Sequence, residues 1–189
     1  MGTKTSNDQN KIDILALSRL VVLDQNGKEF LITSFWKTSP VVLIFLRHFS
    51  CIACRTYVDM IWRKKEELKN KKTRVIFIGN GAPQFIKYFK EDLGVFDADI
   101  YTDPTLETFN ACGLIKGIFH LLDPRGAAKM VEFALKGQKQ GPWDSDSGVH
   151  TQMGGIVAIR PPGQVLYHYI EDYLGDFDTT EGWKTAGRE

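Results

Sequence analysis

The chain has almost no net charge. Its 189 residues set 24 lysines and arginines against 23 aspartates and glutamates, a formal +1 at neutral pH. A groove for nucleic acid or a face for acidic lipid needs a surplus of one sign, so neither partner is expected. Long apolar runs are missing as well. The stretch Val41–Leu46 is strand-sized and far shorter than a membrane-spanning helix. Met1–Asn10 is polar and lacks the apolar core of a signal peptide, so the cytosol is the expected compartment, with no membrane partner. Cysteine is scarce: Cys51, Cys54 and Cys112 are an odd number and do not fit a secreted disulfide framework. There is no second C-x-x-C, and His48, His120, His150 and His168 are scattered, so a zinc site ranks below redox chemistry and no cofactor or metal is expected. No internal repeat and no low-complexity segment is visible.

What is present reads as one domain over residues 13–183, with flexible segments expected at 1–12 and 184–189. Ser18–Leu23 and Lys28–Ile32 are short apolar runs around Asn26-Gly27, a strong hairpin signal. Val41–Leu46 is a continuous run rich in β-branched residues, as expected of a strand buried on both faces. After Cys51 the period changes: Val58, Ile61, Trp62 and Leu68 fall near helical spacing. Arg74–Ile78 predicts another buried strand, Pro83–Leu93 an amphipathic helix, and Asp99–Thr102 a short strand. Asp103-Pro104 predicts a helix running to Asn110, with Asp103 as N-cap. Lys129–Leu135 is a candidate helix, and Gly137–Gly148 reads as loop. Gly155–Arg160 and Gln164–Ile170 flank Pro161-Pro162-Gly163 as a second hairpin. Together these elements predict an α/β fold: a mixed central sheet flanked by helices, an N-terminal hairpin, and an insertion before the C-terminal hairpin.

The chemistry concentrates where the first buried strand hands over to a helix. Functional groups in open α/β sheets gather at the carboxyl ends of strands, and Cys51 stands there. Thiolate is the reactive form of cysteine, and helix amides and nearby cations stabilise it. Arg47, His48 and Arg55 are the cations close in sequence. Cys54 lies one turn along the same helical face, within reach of a disulfide. Cys51, nearer the helix start, is therefore the expected attacking group, and Cys54 the one that resolves a mixed disulfide or sulfenic acid. Two other readings stay open at this point: a non-catalytic module whose cysteine pair senses redox state for a partner, and a metal site.

Phe45-Leu46-Arg47-His48-Phe49-Ser50-Cys51-Ile52-Ala53-Cys54-Arg55 resembles the F-L-R-x-F-x-C-x-x-C-R signature of the peroxiredoxin-like 2 branch of the alkyl hydroperoxide reductase/thiol-specific antioxidant (AhpC/TSA) family. Tyr101-Thr102-Asp103-Pro104 is similar to that branch's Y-x-D-P, Gln152-Met153-Gly154-Gly155 to its Q-x-G-G, and Gly175-Asp176 to its late G-D. The resemblance implies a thioredoxin-like fold and thiol-dependent redox activity as a peroxidase-like antioxidant or thiol–disulfide oxidoreductase. One branch of the family reduces a prostaglandin endoperoxide. The substrate implied is a peroxide or a disulfide, and the reductant is thioredoxin, glutathione or a similar thiol. By position, Cys51 attacks, Cys54 is its partner, and Arg47 and Arg55 are flanking cations. Phe49, Ser50, Gln152 and Gly154 are the candidate substrate-binding residues. Ile52 stands where the family often has proline.

Strand alternation puts Arg47 and His48 on opposite faces, and the resemblance selects Arg47 for the site. Cys112 reads as a small buried apolar residue. Asp172 and Asp176 read as caps in preference to buried proton acceptors, Gly79-Asn80-Gly81 as a plain strand-to-helix turn, and Trp143–Asp146 as surface loop.

Overall fold

The structure, a computed structural model, describes residues 12–70, 74–114, 116–142 and 144–178. The expected tail at 184–189 and all but Ile12 of the expected N-terminal segment lie outside the described residues, as does Trp143.

A seven-stranded mixed sheet forms the centre. In chain order its strands are β1 (Val21–Leu23), β2 (Glu29–Leu31), β3 (Val41–Phe45), β4 (Arg74–Gly79), β5 (Ile100–Thr102), β6 (Gly155–Arg160) and β7 (Gln164–Ile170). Their order across the sheet is β2-β1-β5-β4-β3-β6-β7. β3, β4 and β5 run parallel, whereas β1 meets β5 and β6 meets β3 antiparallel. The two hairpins thus form the two edges. At the first turn Asp24 accepts from the amides of Asn26 and Lys28, and Gly27 adopts a φ of 77°, which favours glycine over any residue with a Cβ.

The helices are α1 (Ile14–Leu17), α2 (Ile52–Trp62), α3 (Lys65–Asn70), α4 (Gln84–Leu93), α5 (Glu107–Ala111) and α6 (Pro124–Leu135). Every residue of β3 is buried. Its alternation divides the core in two. Val42 and Ile44 face Tyr57, Val58 and Ile61 of α2, Phe89 of α4 and Phe133 of α6. Val41, Leu43 and Phe45 face Leu17 of α1, Trp36, and Phe109 of α5. The continuous apolar run was needed because both faces are covered. No helix among the described residues is long and apolar enough to cross a membrane.

Four local readings change. A short helix, α1, precedes the first strand, with Asp13 accepting from the Ala16 amide as its cap. The helix after Cys51 is broken at Arg63–Lys64 into α2 and α3. Asp103 is not a helix N-cap. It accepts from the amides and hydroxyls of both Thr105 and Thr108, folding a turn that delays α5 to Glu107. The same Asp-Pro signal does start α6: Asp123 accepts from the Arg125 amide and Pro124 is the first helical residue, five positions before the expected start.

Candidate active site

β3 ends at Phe45, and the Leu46 amide still reaches the Ile78 carbonyl of β4 at 2.7 Å. The chain then turns through Arg47–Ser50 into α2. Cys51 is the N-cap residue, with extended φ and ψ of −65° and 122°, and its carbonyl accepts the Arg55 amide at 3.0 Å. The sulfur therefore sits at the positive end of the helix. Cys51 and Cys54 are each 3% exposed and both are free thiols. Arg47 holds both sulfurs. Its Nη1 donates to Cys51 Sγ at 3.2 Å, and its backbone N–H donates to Cys54 Sγ at 3.2 Å.

The two thiols are driven apart. A hydrogen bond from the Cys54 thiol is the largest influence on Cys51 and favours its thiolate; burial opposes this; the Arg47 guanidinium and the amides of Cys54 and Ala53 add to it, and the balance lies well below the ordinary thiol range. Cys54 moves well above that range, first through burial and then through donating its proton to Cys51. One nucleophilic thiolate and one protonated partner are what a two-step thiol exchange requires.

Arg47 is itself clamped. Its Nε donates to the Gln152 carbonyl at 3.2 Å and its Nη2 to the His150 carbonyl at 2.7 Å. The segment entering β6 thus aims the guanidinium at Cys51, using backbone oxygens that leave its charge for the thiolate. Gln152, fully buried, contributes that carbonyl, and its side-chain amide donates to Met153 at 3.0 Å. Gly154 is pressed against the end of β3, where a Cβ would sit 2.4 Å from the Phe45 carbonyl oxygen and 2.8 Å from Glu171 Oε1. Only glycine fits. The Gly154 amide donates to Glu171 Oε2 at 3.2 Å.

Glu171 was not singled out from the sequence, which drew attention to Asp172 and Asp176 instead. It is 6% exposed, and burial first of all, then the neighbouring Cys51 charge, push its carboxyl up to about 8 against the opposing pull of Arg47. Gly155 pairs with Ile170, which sets Glu171 opposite Gly154, but a bulge between Ala158 and Ile159 shifts the register by one, so counting outward from the Pro161–Gly163 turn would have put Ile170 there. Asp176 accepts the Asp172 amide at 2.9 Å, the capping role expected of it.

Phe49 and Ser50 lie on the other side of the link. They line a cavity of about 530 Å³ together with Arg55, Phe85, Tyr88, Phe89 and Pro142. Three acids, Glu91, Asp92 and Asp144, complete its wall. Phe49 stacks edge-on to Phe89 at 5.4 Å, and the Ser50 hydroxyl donates to the Pro142 carbonyl. Arg55 turns into this wall, pairing with Asp92 and lying over the Phe89 ring, and Arg47 is the cation bonded to Cys51. His48 adds no charge: burial foremost, with Arg47 and His150 beside it, holds its pKa down at about 2. Its Nε2 shares a hydrogen bond of 3.2 Å with His150 Nδ1. Asn80, in the turn after β4, ties the link down by donating to the Arg47 carbonyl and accepting from the Val149 amide at 2.7 Å. Cys112 is on the opposite face of the sheet, fully buried.

The family model described as "AhpC/TSA antioxidant enzyme" matches residues 60–173, more than half of the chain. This chain belongs to the AhpC/TSA antioxidant enzyme family. The matched stretch begins after Cys51 and Cys54. A bovine relative named peroxiredoxin-like 2C is 30% identical over 164 residues, covering 82% of this chain and 70% of the relative. A salmon (Salmo salar) relative named prostamide/prostaglandin F synthase is 28% identical, covering 88% and 84%. The Arabidopsis thaliana protein named thioredoxin-like protein AAED1, chloroplastic, is 29% identical; the match covers 82% of this chain and 64% of that one. Among solved structures, the peroxidoxin BcpB of Mycobacterium tuberculosis superposes with a TM-score of 0.62 at 15% identity over 88% of this chain and 90% of that one. The Xanthomonas campestris bacterioferritin comigratory protein gives 0.59 at 12% identity over 82% of each. These likenesses fix the fold as thioredoxin-like, and membership of the family supports a thiol-dependent oxidoreductase function.

Proposed function

We propose that the chain is a thiol-dependent peroxide reductase in which Cys51 attacks and Cys54 resolves. The observation that carries this reading is the Arg47 guanidinium 3.2 Å from the Cys51 sulfur, at a helix start, with Cys54 as hydrogen-bond donor. The Cys51 thiolate attacks one peroxide oxygen and the O–O bond breaks. The alkoxide leaves and takes a proton as alcohol or water, and Cys51 becomes a sulfenic acid. Cys54 then forms the S–S bond with Cys51 and water departs. An external thiol, thioredoxin or glutathione or a similar donor, reduces the disulfide. Burial of Cys51 favours a peroxide over a protein disulfide, because a peroxide group can enter a recess that a folded partner cannot.

Phe49 and Ser50, the two residues before Cys51, line the neighbouring aromatic cavity, whose volume suits an organic hydroperoxide. Glu91, Asp92 and Asp144 against Arg55 leave its lining net acidic, which disfavours a free carboxylate. Neutral peroxides fit better than acidic ones, a distinction that the relatives named prostamide/prostaglandin F synthase do not make in their name.

Thiol counting before and after one equivalent of hydrogen peroxide, with mass mapping, tests the reading. Two thiols should be lost per chain as a Cys51–Cys54 bond, and Cys51→Ser should lose all peroxide turnover. Undiminished turnover in Cys51→Ser sinks it.

A further inference from the structure

We propose that Glu171 is the proton acceptor for Cys54 when the Cys51–Cys54 disulfide closes. This rests on the attacking and resolving roles given above.

One cation and three acidic groups gather at the buried end of β3. Arg47, two residues beyond Phe45, bonds Cys51 through its side chain and Cys54 through its backbone, and Gly154, pressed against the Phe45 carbonyl, holds the Glu171 carboxyl on its amide. Glu171 is held there by its backbone as well as its side chain. Its N–H donates to the Gly154 carbonyl at 3.2 Å, and its carboxylate accepts from the Gly154 amide at 3.2 Å. The missing Cβ at Gly154 is the space that the carboxyl group occupies. Other titratable groups that act on it are Asp176, from the turn after β7, and Tyr169, from β7 itself; neither brings a positive charge. Arg47 is therefore the cation the compartment offers, and a buried site with one cation holds one anion at low cost and two at high cost.

That charge rule links the two steps. In the reduced protein the anion is the Cys51 thiolate, and its field together with burial keeps Glu171 protonated. Once the thiolate has formed a covalent bond to oxygen or sulfur, its charge is gone. Arg47 is then free to favour the Glu171 carboxylate, and the proton that Glu171 gives up passes to the leaving alkoxide or, where the leaving group is a weak base, to solvent. A base thus appears in the compartment at the moment when Cys54, whose thiol burial holds protonated, must lose its proton to attack. In the closing step the Cys54 S–H bond breaks and its proton goes to the Glu171 carboxylate. The Cys54 sulfur forms the S–S bond, and the Cys51 S–O bond breaks as hydroxide leaves and is protonated to water. When an external thiol reopens the disulfide, Glu171 returns the proton to Cys54. No further oxidant or reductant is required.

The test isolates the closing step without peroxide. Methyl methanethiosulfonate places a methylthio group on Cys51 and expels methanesulfinate. Cys54 then closes the disulfide and expels methanethiol. Acid quenching and intact mass spectrometry follow the adduct as it rises and falls. In Glu171→Gln, which keeps an acceptor for the Gly154 amide and mimics the protonated acid, adduct formation should stay within about twofold of the parent protein. Closure should slow by about 100-fold, the lower range for loss of a positioned base, and adduct should accumulate. The pH dependence of closure should also lose the limb at which Glu171 ionises, a change that a merely structural defect would not produce. Equal closure rates and pH profiles in the two proteins overturn the proposal.

A second measurement uses the unsubstituted chain, in case Glu171→Gln does not fold. Capping Cys51 with iodoacetamide removes the thiolate charge. The infrared difference spectrum at neutral pH should then lose a carboxylic-acid band and gain a carboxylate band. No change in that region also overturns the proposal. The two levels separate cleanly. A chain that closes its disulfide after the methylthio adduct but does not turn over peroxide defeats the peroxidase reading alone, and the Gln comparison still decides the role of Glu171. A chain that never forms the Cys51–Cys54 bond defeats both.

Discussion

The two faces of the sheet each bury cysteine, to almost the same depth and with opposite chemical results. Cys51 and Cys54, both 3% exposed, pack with α2, α4 and α6; Cys112, fully buried, packs with Phe109 and Leu114 on the other face. Burial alone raises a thiol pKa, and it raises that of Cys112 with nothing to oppose it. Cys51 has the same burden and goes the other way, because Cys54, Arg47 and the start of α2 are all directed at its sulfur. Depth therefore does not separate a structural cysteine from a reactive one. What separates them is whether donors and a cation converge on the sulfur.

Removing those groups one at a time should abolish the difference. The measurement is the pH–rate profile of Cys51 alkylation by iodoacetamide, whose midpoint reports the thiolate. In the parent chain reactivity should hold from neutral pH downward and fall as protonation sets in at about 5. Cys54→Ala deletes the largest favourable influence and should raise the midpoint by about two pH units or more. Arg47→Met deletes the guanidinium at 3.2 Å and should raise it by about one to two. Cys54→Ser keeps a donor and should move it by less than about one. A midpoint unmoved by both Cys54→Ala and Arg47→Met would remove the electrostatic explanation of the site.

Stability should follow the same asymmetry. The Cys51 pKa is lower in the folded chain than in the unfolded one, so its ionisation favours folding. That contribution is fully present above the unfolded thiol range and is lost as pH falls through the folded value. Urea unfolding of reduced chain and Cys51→Ala should therefore show a difference that grows from about pH 5 toward pH 9, whereas Cys112→Ala should show a difference that is flat up to about pH 8 and then narrows, because the Cys112 thiol begins to ionise there in the unfolded chain alone. A flat profile for Cys51→Ala would contradict the depressed thiol.

Much of this was legible in the residues, and the failures have physical causes. The hairpin at Asn26-Gly27, the doubly buried β3 and the Cys51 helix start all depend on local chemistry that a short window contains. Asp-Pro is local too, yet its two copies behave differently. Asp123 starts a helix, while Asp103 finds two threonines, Thr105 and Thr108, whose hydroxyls divert it into a turn. The dipeptide alone does not show which partner wins. Arg47 and Arg55 flank the pair in sequence, Arg55 the nearer, but Asp92 of α4 draws Arg55 into the cavity wall, and α4 begins 29 residues further along. Glu171 is more distant still. Its burial depends on the strand register of β6 and β7 and on a glycine that makes room, neither of which is a property of the residue itself.

The smallest effects belong to Cys112, and they test the comparison from its quiet side. Cys112→Ala removes a sulfur from a well-packed cluster and should lower stability by about 1–2 kcal/mol in urea unfolding, as the loss of a small buried group does. Cys112→Ser keeps the volume but buries a hydroxyl among apolar neighbours, at a cost of about 1–3 kcal/mol. Serine should thus be the worse of the two, the reverse of what a reactive or hydrogen-bonding thiol would show. Neither change should alter the alkylation midpoint of Cys51 or the rate of disulfide closure, since the sheet itself stands between the two faces. A Cys112→Ser chain with slower closure would mean that the faces are coupled through β3, and the contrast between a structural and a reactive cysteine would have to be redrawn as one network.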